Sequence, residues 1–494
     1  MIADTDFIYS IETALSFVMF SNAPPRFLQY PIVGILCFEI QTNNDDIEDR
    51  METQSIQLYT ASISGMRTLL MQLLPNEFRK KPCFDEKASE VGLPTIVWYD
   101  ASKETVHKQN PMPNEHLVAS TYNISTGVLP EVIVHPSPDI WTEINEVEIP
   151  QPGPDDVVIK VIVAGSNVKD WLHLKALKKS LNSGDDIAGI VHSLGTNVQA
   201  KNEYSPGDRV AAFHPMMRPH GAYAEYAVAP IHTVMKLPDA ITFEEAATIP
   251  LVATTAALSL FRRQHLPPPW SPRADSVPLP LIIYGASSSL GTFAVKLARA
   301  SNIHPIIAIA GGSSLHLHSL LDSSSGDKLI DYRLGIEQMI KATKVALGSL
   351  ECHHALDAIS SNGTWIPISH MLAPSFSSQS PSYLSVVTGS NKYDEESIQS
   401  GIEVIYTMVG TAHTGVYKPD TVKQPSDKEF VKGDPEWVAV FFSYMSQMLV
   451  DGRLTGHPFD IIGGGLTGVG EGLRRLQRGQ ARGVKYVYKI GEVE

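Results

Sequence analysis

Residues Leu281-Ile282-Ile283-Tyr284 run directly into Gly285-Ala286-Ser287-Ser288-Ser289-Leu290-Gly291, and from Phe293 to Ala300 the apolar residues recur at helical spacing. An apolar run, a turn of small residues and a helix in succession constrain the fold more than any other stretch. They predict a buried strand whose turn places backbone N–H groups and the positive end of a helix dipole at one point, where a pyrophosphate can sit. An ordinary strand-to-helix turn, built of small residues for packing alone, fits the same residues. Strand and helix signals alternate after it, as in a parallel α/β sheet.

The next predicted strand, Ile306 to Ala310, ends at Gly311-Gly312-Ser313-Ser314, with no acid among them. A carboxylate at that place grips the ribose 2′-hydroxyl of NADH and repels the 2′-phosphate of NADPH. Two hydroxyls and free backbone N–H groups can instead donate to the phosphate, so the loop favours NADPH. The other reading is that Ser313 and Ser314 are loop residues and nothing more.

Ahead of this segment, from Glu131, lie short β-rich runs: Val157 to Val163, Ile187 to Leu194, Arg209 to Phe213 and Ala222 to Val228. Pro152-Gly153-Pro154, Ser183-Gly184 and Pro206-Gly207-Asp208 punctuate them, the pattern of a small, mostly antiparallel β domain. Thr242-Phe243-Glu244-Glu245 offers a helix cap with an acid three positions on, and a second helical stretch covers Thr254 to Arg263. The Pro-rich segment His265 to Pro280 reads as a surface connection. Residues 1 to about 125 show no sustained period, and Asn43 to Asp49 is polar and mostly acidic; no function is assigned to them.

A chain of 494 residues suits two domains plus additional material, and 43% hydrophobic with 19% charged residues fits a folded globular protein. The net charge of −14, with no long basic run to offset it, argues against nucleic acid as a partner. Cys37, Cys83 and Cys352 are too few and too scattered for a disulfide framework, which points to a reducing, cytoplasmic setting. The apolar stretches around Phe17 and Ile35 are separated by Pro24, Pro25, Arg26 and Pro31 and fall short of the roughly 18 residues that a spanning helix needs. Neither a signal peptide nor a transmembrane segment is expected.

Five further segments occur in a telling order: Asn167-Val168-Lys169-Asp170-Trp171, Asp186-Ile187-Ala188-Gly189-Ile190-Val191, Gly207-Asp208-Arg209-Val210, Gly221-Ala222-Tyr223-Ala224-Glu225-Tyr226 and Ala246-Ala247-Thr248-Ile249-Pro250. In order and spacing they resemble the quinone oxidoreductase-like branch of the medium-chain dehydrogenase/reductase superfamily. The Pro-rich insertion and the tail from Gly463-Gly464-Gly465-Leu466 to Gly483-Val484-Lys485-Tyr486-Val487 look like fungal members, trans-enoyl reductases that partner polyketide synthases among them. The resemblance covers about residues 130 to 494. It implies an α/β fold of two parts, a GroES-like β domain at 128–255 and a doubly wound parallel-sheet Rossmann domain at 256–412, with 413–494 returning to the first and 1–127 as an extension of unknown role. Trp437 to Leu449 reads as a helix of that return and Val484 to Ile490 as its final strand.

The same resemblance implies site residues. Asn167 and Thr255 would lie near the nicotinamide, Gly285 to Gly291 (Gly285, Ala286, Ser287, Ser288, Ser289, Leu290, Gly291) on the pyrophosphate, and Ser313, Ser314 and Tyr332 around the adenosine phosphate. Zinc-dependent relatives have Gly-His-Glu where this chain has Gly184-Asp185-Asp186, and a Cys near Gly165-Ser166, so no metal is expected. His214 and His220, although close together, lack a nearby third ligand. A lysine common after the second Rossmann strand aligns with His316, and Lys178 falls about where several enoyl reductases carry a tyrosine donor, which leaves the proton donor unassigned. The activity implied is NADPH-dependent reduction of a carbon–carbon double bond conjugated to a carbonyl, on a small-molecule or carrier-bound enone, with a polyketide synthase as partner and a monomer or homodimer as the assembly. Quinone reduction is the nearest alternative. A catalytically silent NADPH-binding or interaction protein is the alternative of another class.

Overall fold

The computed structural model describes residues 128–492, apart from 275–276, 378–380, 394–395 and 418–430; the extension expected at 1–127 lies outside the described residues. Three sheets organise it. A hairpin of β1 (Val128–His135) and β2 (Trp141–Glu148) pairs antiparallel along its whole length, and bridges from Glu131 to Ala224 and from Val134 to Leu181 tie it to the rest of the fold. The second sheet takes β3 (Asp156–Gly165), β4 (Asp186–Leu194), β5 (Arg209–Phe213), β6 (Tyr226–Pro230) and β7 (Val234–Lys236) from one part of the chain. It takes β14 (Phe459–Ile461) and β15 (Lys485–Lys489) from the other. Its order is β14-β15-β3-β4-β5-β7, with β6 also on β3, and every pair is antiparallel except β14 with β15.

The third sheet is parallel throughout, in the order β10-β9-β8-β11-β12-β13. Its strands are β8 (Leu281–Tyr284), β9 (Ile306–Ala310), β10 (Lys328–Asp331), β11 (His354–Asp357), β12 (Ser382–Val386) and β13 (Ile402–Tyr406). Successive side chains of a strand point to opposite faces, and β8 shows the result. Leu281 and Ile283 join Phe293, Ala294 and Leu297 of one helix, whereas Ile282 joins Ile307, Ile309, Met339 and Leu347 on the far side. Apolar runs without alternation, such as Ile306-Ile307-Ala308-Ile309, are what a sheet covered on both faces requires. From β8 the chain moves outward to β9 and β10, then crosses back to β11. The order therefore reverses between β8 and β11, and ligands of doubly wound sheets bind in the crevice beyond the strand ends at such a point.

Helices α1 (Lys169–Leu177), α2 (Phe243–Ala246), α3 (Pro250–Ala257), α4 (Ser289–Ala300), α5 (Ile336–Leu347), α6 (Asp434–Val450) and α7 (Val469–Gln477) complete the framework. Thr242 caps α2 as its sequence suggests, its side chain accepting from Glu245 N at 3.1 Å. One apolar cluster runs from Val163 and Phe213 of the antiparallel sheet through α3 to Phe293 of α4 and Phe441 and Phe442 of α6. Among the described residues no helix is long and apolar enough to cross a membrane.

Three local expectations need correction. The helical stretch Thr254 to Arg263 is α-helical only to Ala257; residues Leu258–Arg263 widen into a π-helix, where Arg262 and Arg263 both reach the buried Asp434, at 3.0 and 2.5 Å. The strand expected at Ala222 to Val228 begins only at Tyr226. Tyr223 is instead drawn inward, its carbonyl accepting from Val132 N and its hydroxyl donating to Asp170, and the bonds to β3 resume only at Glu225, whose carbonyl accepts from Val161 N. Among its described residues the Pro-rich connection has no helix or strand, but it is partly buried: Leu266 is enclosed and Trp270 packs against Trp437 and Tyr444 of α6.

Candidate active site

The turn after β8 is built to let two pieces of backbone touch. Gly285 has φ +73°, a conformation that side-chain-bearing residues rarely adopt. A Cβ on Gly291 would fall on the Gly285 carbonyl oxygen, so the first turn of α4 can lie this close to the end of β8 only with glycine there. Ser288 caps α4, its Oγ accepting from Gly291 N at 3.1 Å, and Thr292 Oγ1 donates to the Ala286 carbonyl at 3.1 Å. Ala286 and Leu290 are buried beneath the turn while Ser287, Ser288 and Ser289 are half-buried at its surface. Ile359, in the loop after β11, reaches over Gly285: a Cβ there would lie 2.5 Å from Ile359 Cγ1. The glycine turn thus sits in the crevice between β8 and β11, with N–H groups of a helix N-terminus at its mouth. These residues fit a dinucleotide pyrophosphate.

The loop after β9 forms a second surface. Tyr332 lies directly under Gly311, its Cε1 2.7 Å from where a Cβ would stand, and Ser313 and Ser314 remain partly exposed beside it. Sequence reasoning missed Arg333. Its Nη1 is 2.9 Å from the position of a Gly312 Cβ, and its guanidinium is exposed and paired with Asp331 at 2.6 Å. An arginine one residue beyond Tyr332 was the available signal. His316 faces elsewhere: its Nε2 meets Thr292 Oγ1 at 3.0 Å and its ring lies edge-on to His457, with burial and then Lys296 holding its pKa below the usual imidazole value.

A buried acid bridges Asn167 to the first turn of the helix that carries Thr255. Asp186, fully buried at the start of β4, accepts from Asn167 Nδ2 at 2.8 Å and from Leu251 N, in the first turn of α3, at 2.7 Å. Thr255 lies one turn further along α3, and its hydroxyl donates back to the Leu251 carbonyl at 2.8 Å. Lys485 of β15 completes the knot, donating to Asp186 Oδ2 at 2.5 Å and to Asn167 Oδ1 at 3.0 Å. The Asn167 amide is therefore fixed at both ends.

A second knot adjoins the first. Lys169 Nζ donates to the Ser183 carbonyl at 2.7 Å, pairs with Asp170 Oδ1 at 2.9 Å and also pairs with Asp185 Oδ2. Asp170 Oδ2 accepts from the Tyr223 hydroxyl at 2.6 Å and from Asn167 N at 2.8 Å. Burial raises the Asp185 carboxyl to about 7, with the Lys169 charge opposing the shift. Neither Lys169 nor Lys485 stood out in the sequence, where a lysine at a helix start or in a tail reads as surface.

The positions that hold zinc in metal-dependent relatives are committed to other partners. Asp185 faces the Lys169 ammonium, and Ser166 Oγ donates to the Tyr486 carbonyl at 3.0 Å. Both ring nitrogens of His214 face carbonyls, those of Val228 at 2.6 Å and Arg218 at 3.1 Å, while His220 is exposed. Among the described residues no group of three or more His, Cys, Asp or Glu is placed to hold a metal ion. Lys178, at the left-handed C-terminus of α1, is exposed and outside both knots.

Residues 153–239 match the alcohol dehydrogenase GroES-like domain. The trans-enoyl reductase fsr4 of Gibberella fujikuroi is 36% identical over 342 residues, covering 69% of this chain and 92% of that protein. The trans-enoyl reductase ACTTS2 of Alternaria alternata is 27% identical over 354 residues, covering 70% and 95%. Two solved structures share the fold: CurK enoyl reductase (TM-score 0.53, 18% identity, 73% of this chain and 99% of that one) and a quinone oxidoreductase of Pseudomonas syringae (TM-score 0.51, 19% identity, 73% and 99%). The GroES-like match, the doubly wound sheet and the coverage of the fungal relatives together make this chain a member of the trans-enoyl reductase family, within the medium-chain dehydrogenase/reductase superfamily of nicotinamide-dependent oxidoreductases.

Proposed function

We propose that the protein reduces an activated carbon–carbon double bond with NADPH, acting on a small-molecule or carrier-bound enone of fungal secondary metabolism. The observation that carries the reading is the contact between Gly291 and the Gly285 backbone at the sheet's reversal point, together with the trans-enoyl reductase relatives. In this reading Gly285 to Gly291 hold the pyrophosphate, and Ser313, Ser314 and Tyr332, joined by Arg333, receive the adenosine 2′-phosphate. The bound cofactor supplies the hydride. Asn167 and Thr255 line the nicotinamide end, the Asn167 amide held by Asp186 and the first turn of the helix that carries Thr255 held by the same carboxylate. Domain boundaries at 128–255, 256–412 and 413–494 belong to the same proposal; the strands of the antiparallel sheet fall within 156–236 and 459–489, and those of the parallel sheet within 281–406.

An enone is the acceptor this site suits. Hydride addition to an isolated ketone concentrates charge on one oxygen, which a metal neutralises as Lewis acid. The donor set here has an ammonium against Asp185 in that place. Hydride addition to an enone spreads the charge over an enolate, which hydrogen-bond donors can stabilise. Val168 and Leu172 are exposed apolar side chains four residues apart on one face at the start of α1, beside Asn167, and suit an aliphatic acyl chain such as a polyketide synthase would present. To test the proposal, purified chelator-treated protein is assayed with NADPH and with NADH on matched enone, quinone and ketone substrates. Enone reduction that survives the chelator and prefers NADPH is the expected result; ketone reduction that exceeds it and is lost with the chelator would overturn the reading.

A further inference from the structure

The carboxyl ends of four parallel strands finish level with one another. Tyr284 of β8 pairs with Asp357 of β11, Asp357 with Val386 of β12, and Val386 with Tyr406 of β13. The loops that follow therefore start in one row, about 4.8 Å apart, and hydrogen bonds fasten each to the next. Ala358 N donates to the Tyr284 carbonyl at 3.0 Å, Val387 N to Ser360 Oγ at 2.9 Å, and Thr407 N to the Val386 carbonyl at 2.8 Å. The row begins at the glycine turn, where a Cβ on Gly285 would stand 3.7 Å from Ala358 Cβ. With the adenosine over the loop after β9, on one side of β8, a pyrophosphate at Gly285 to Gly291 directs the rest of an extended cofactor over β11 and toward β13 on the other.

Along that row the side chains are apolar and half-buried. Ala358, Val387 and Val409 each follow a different strand, and all three rest on the core cluster that holds Phe293 and Phe441. Its far end meets the antiparallel sheet. His413 Nε2, in the short helical turn Thr411–Thr414, lies 3.0 Å from the Phe213 carbonyl at the end of β5, which bolts the turn to that sheet. Three residues after Phe213, Met216 reaches back: its Cε is 2.7 Å from where a Cβ on Gly410 would stand, and Met408 Cε is 3.3 Å from the same point. Gly410 has φ −62°, which any residue adopts, so what the glycine supplies is room for two methyl groups. Met216 and Met408 are both half-buried, whereas Met217 packs onto the other core, that of the antiparallel sheet, from a left-handed backbone at φ +64°. Methionine is unbranched, with three rotatable bonds and a polarisable sulfur, so two of them meeting at one gap make a wall that can repack.

We propose that Met216 and Met408 form the movable wall of an acyl-binding subsite whose floor is Ala358, Val387 and Val409, and that they set how long an aliphatic chain the enone can carry. The proposal rests on the enoyl reductase reading and adds to it the residues that select the acyl chain. None of these five side chains carries a charge, an N–H or an O–H, so what they can sort is the length and shape of a hydrocarbon, the ordinary lining of a small-molecule pocket. Swinging the two methyl groups away from Gly410 lengthens the space, and removing either side chain lengthens it permanently. Each methylene newly buried there is worth about 4-fold in affinity.

The test uses the full chain loaded with NADP+ and titrated calorimetrically with the butanoyl, octanoyl and dodecanoyl thioesters of N-acetylcysteamine, which are saturated and so do not turn over. Met216→Ala and Met408→Ala are each expected to move the preferred chain length upward, tightening dodecanoyl relative to butanoyl binding by about 10-fold or more. Met408→Trp fills the same space and is expected to weaken octanoyl and dodecanoyl binding about 10-fold, with butanoyl held within about 2-fold. Cofactor affinity, measured alone, reports that each variant is folded; should Met408→Trp not fold, the two alanine variants still decide the matter. With NADPH and the matching 2-enoyl thioesters, kcat/KM is expected to follow the same order of chain lengths. An unchanged order in both alanine variants, or no acyl binding by the wild type, would overturn the subsite. Acyl binding that shifts as expected while no enoyl thioester is reduced would support the subsite and sink the enoyl reductase reading instead.

Discussion

Asp186 and Lys485 are separated by 299 residues of chain and by 2.5 Å in space. Both are buried, and the pair ties the start of β4 to the last strand of the same sheet. Removing one partner of such a pair leaves the other as an uncompensated interior charge. Lys485→Met is therefore expected to destabilise the protein by about 3–5 kcal/mol, and the further change Asp186→Asn should recover much of that loss. Urea unfolding of the single and double variants measures both, and a loss below about 1 kcal/mol for Lys485→Met would contradict the burial argument.

Gly291→Ala places a methyl group against the Gly285 carbonyl. Either the first turn of α4 moves away from β8 or the turn itself is distorted, at a cost of about 1–3 kcal/mol. Cofactor binding should weaken at least 10-fold for NADPH and NADH alike, because the pyrophosphate is common to both. Titration of cofactor fluorescence checks this, and unchanged binding would place the pyrophosphate elsewhere.

Arg333 and Ser313 should instead divide the two cofactors. Arg333→Ala removes the guanidinium beside Gly312, and Ser313→Asp adds a charge of the same sign as the phosphate. Each is expected to weaken NADPH by about 1–3 kcal/mol and to leave NADH nearly unchanged. An equal loss for both cofactors would show that the 2′-phosphate does not bind at this loop.

Buried imidazoles set the acid limit of the fold. Burial lowers His354 to about 4 and His413 and His457 to about 3. All three are neutral in the folded protein, whereas the unfolded chain takes up protons below about pH 6.5. Unfolding thus becomes easier as pH falls from about 6.5 toward 3, by up to about 1.4 kcal/mol per pH unit for each group. Asp185 works in the opposite sense: its raised pKa contributes stability that is present at low pH and lost as pH rises through about 7. Unfolding midpoints at pH 7.5 and 5.5 should show a net acid loss, smaller in His457→Leu and larger in Asp185→Asn. A midpoint in His457→Leu with the same pH slope as the wild type would rule out its part.

The glycine turn was far more legible in the sequence than the knot around Asp186. Leu281 to Gly291 announces itself because strand, turn and helix are contiguous, and each part has a local signature. Ile306–Ala310 and Arg209–Phe213 were readable to the residue for the same reason. The knot around Asp186 has no such signature, since its members come from the segment just before α1, from β4, α3 and β15, and only folding brings them together. Lys169 is the clearest case. A lysine that opens a helix is ordinarily solvated, and nothing near it in sequence reveals that Ser183 and Asp185 will enclose it. Tyr223 was likewise assigned to a strand because its bond to Asp170 spans 53 residues.

β15 lies between β14 and β3, so the antiparallel sheet is closed by a segment made long after its first strands. During synthesis β3 and β4 emerge more than 280 residues before the strand that completes them, and until then Asp186 lacks its cation and the edge of β3 at Val163–Gly165 lacks its neighbour. An open edge and a long-range closure are the conditions under which a nascent chain pairs wrongly. The parallel sheet, whose strands all lie between Leu281 and Tyr406, can assemble before β15 appears. The parallel sheet thus has all its strands before the antiparallel sheet does, and a chain interrupted before Lys485 would carry the first complete and the second still open beside β3.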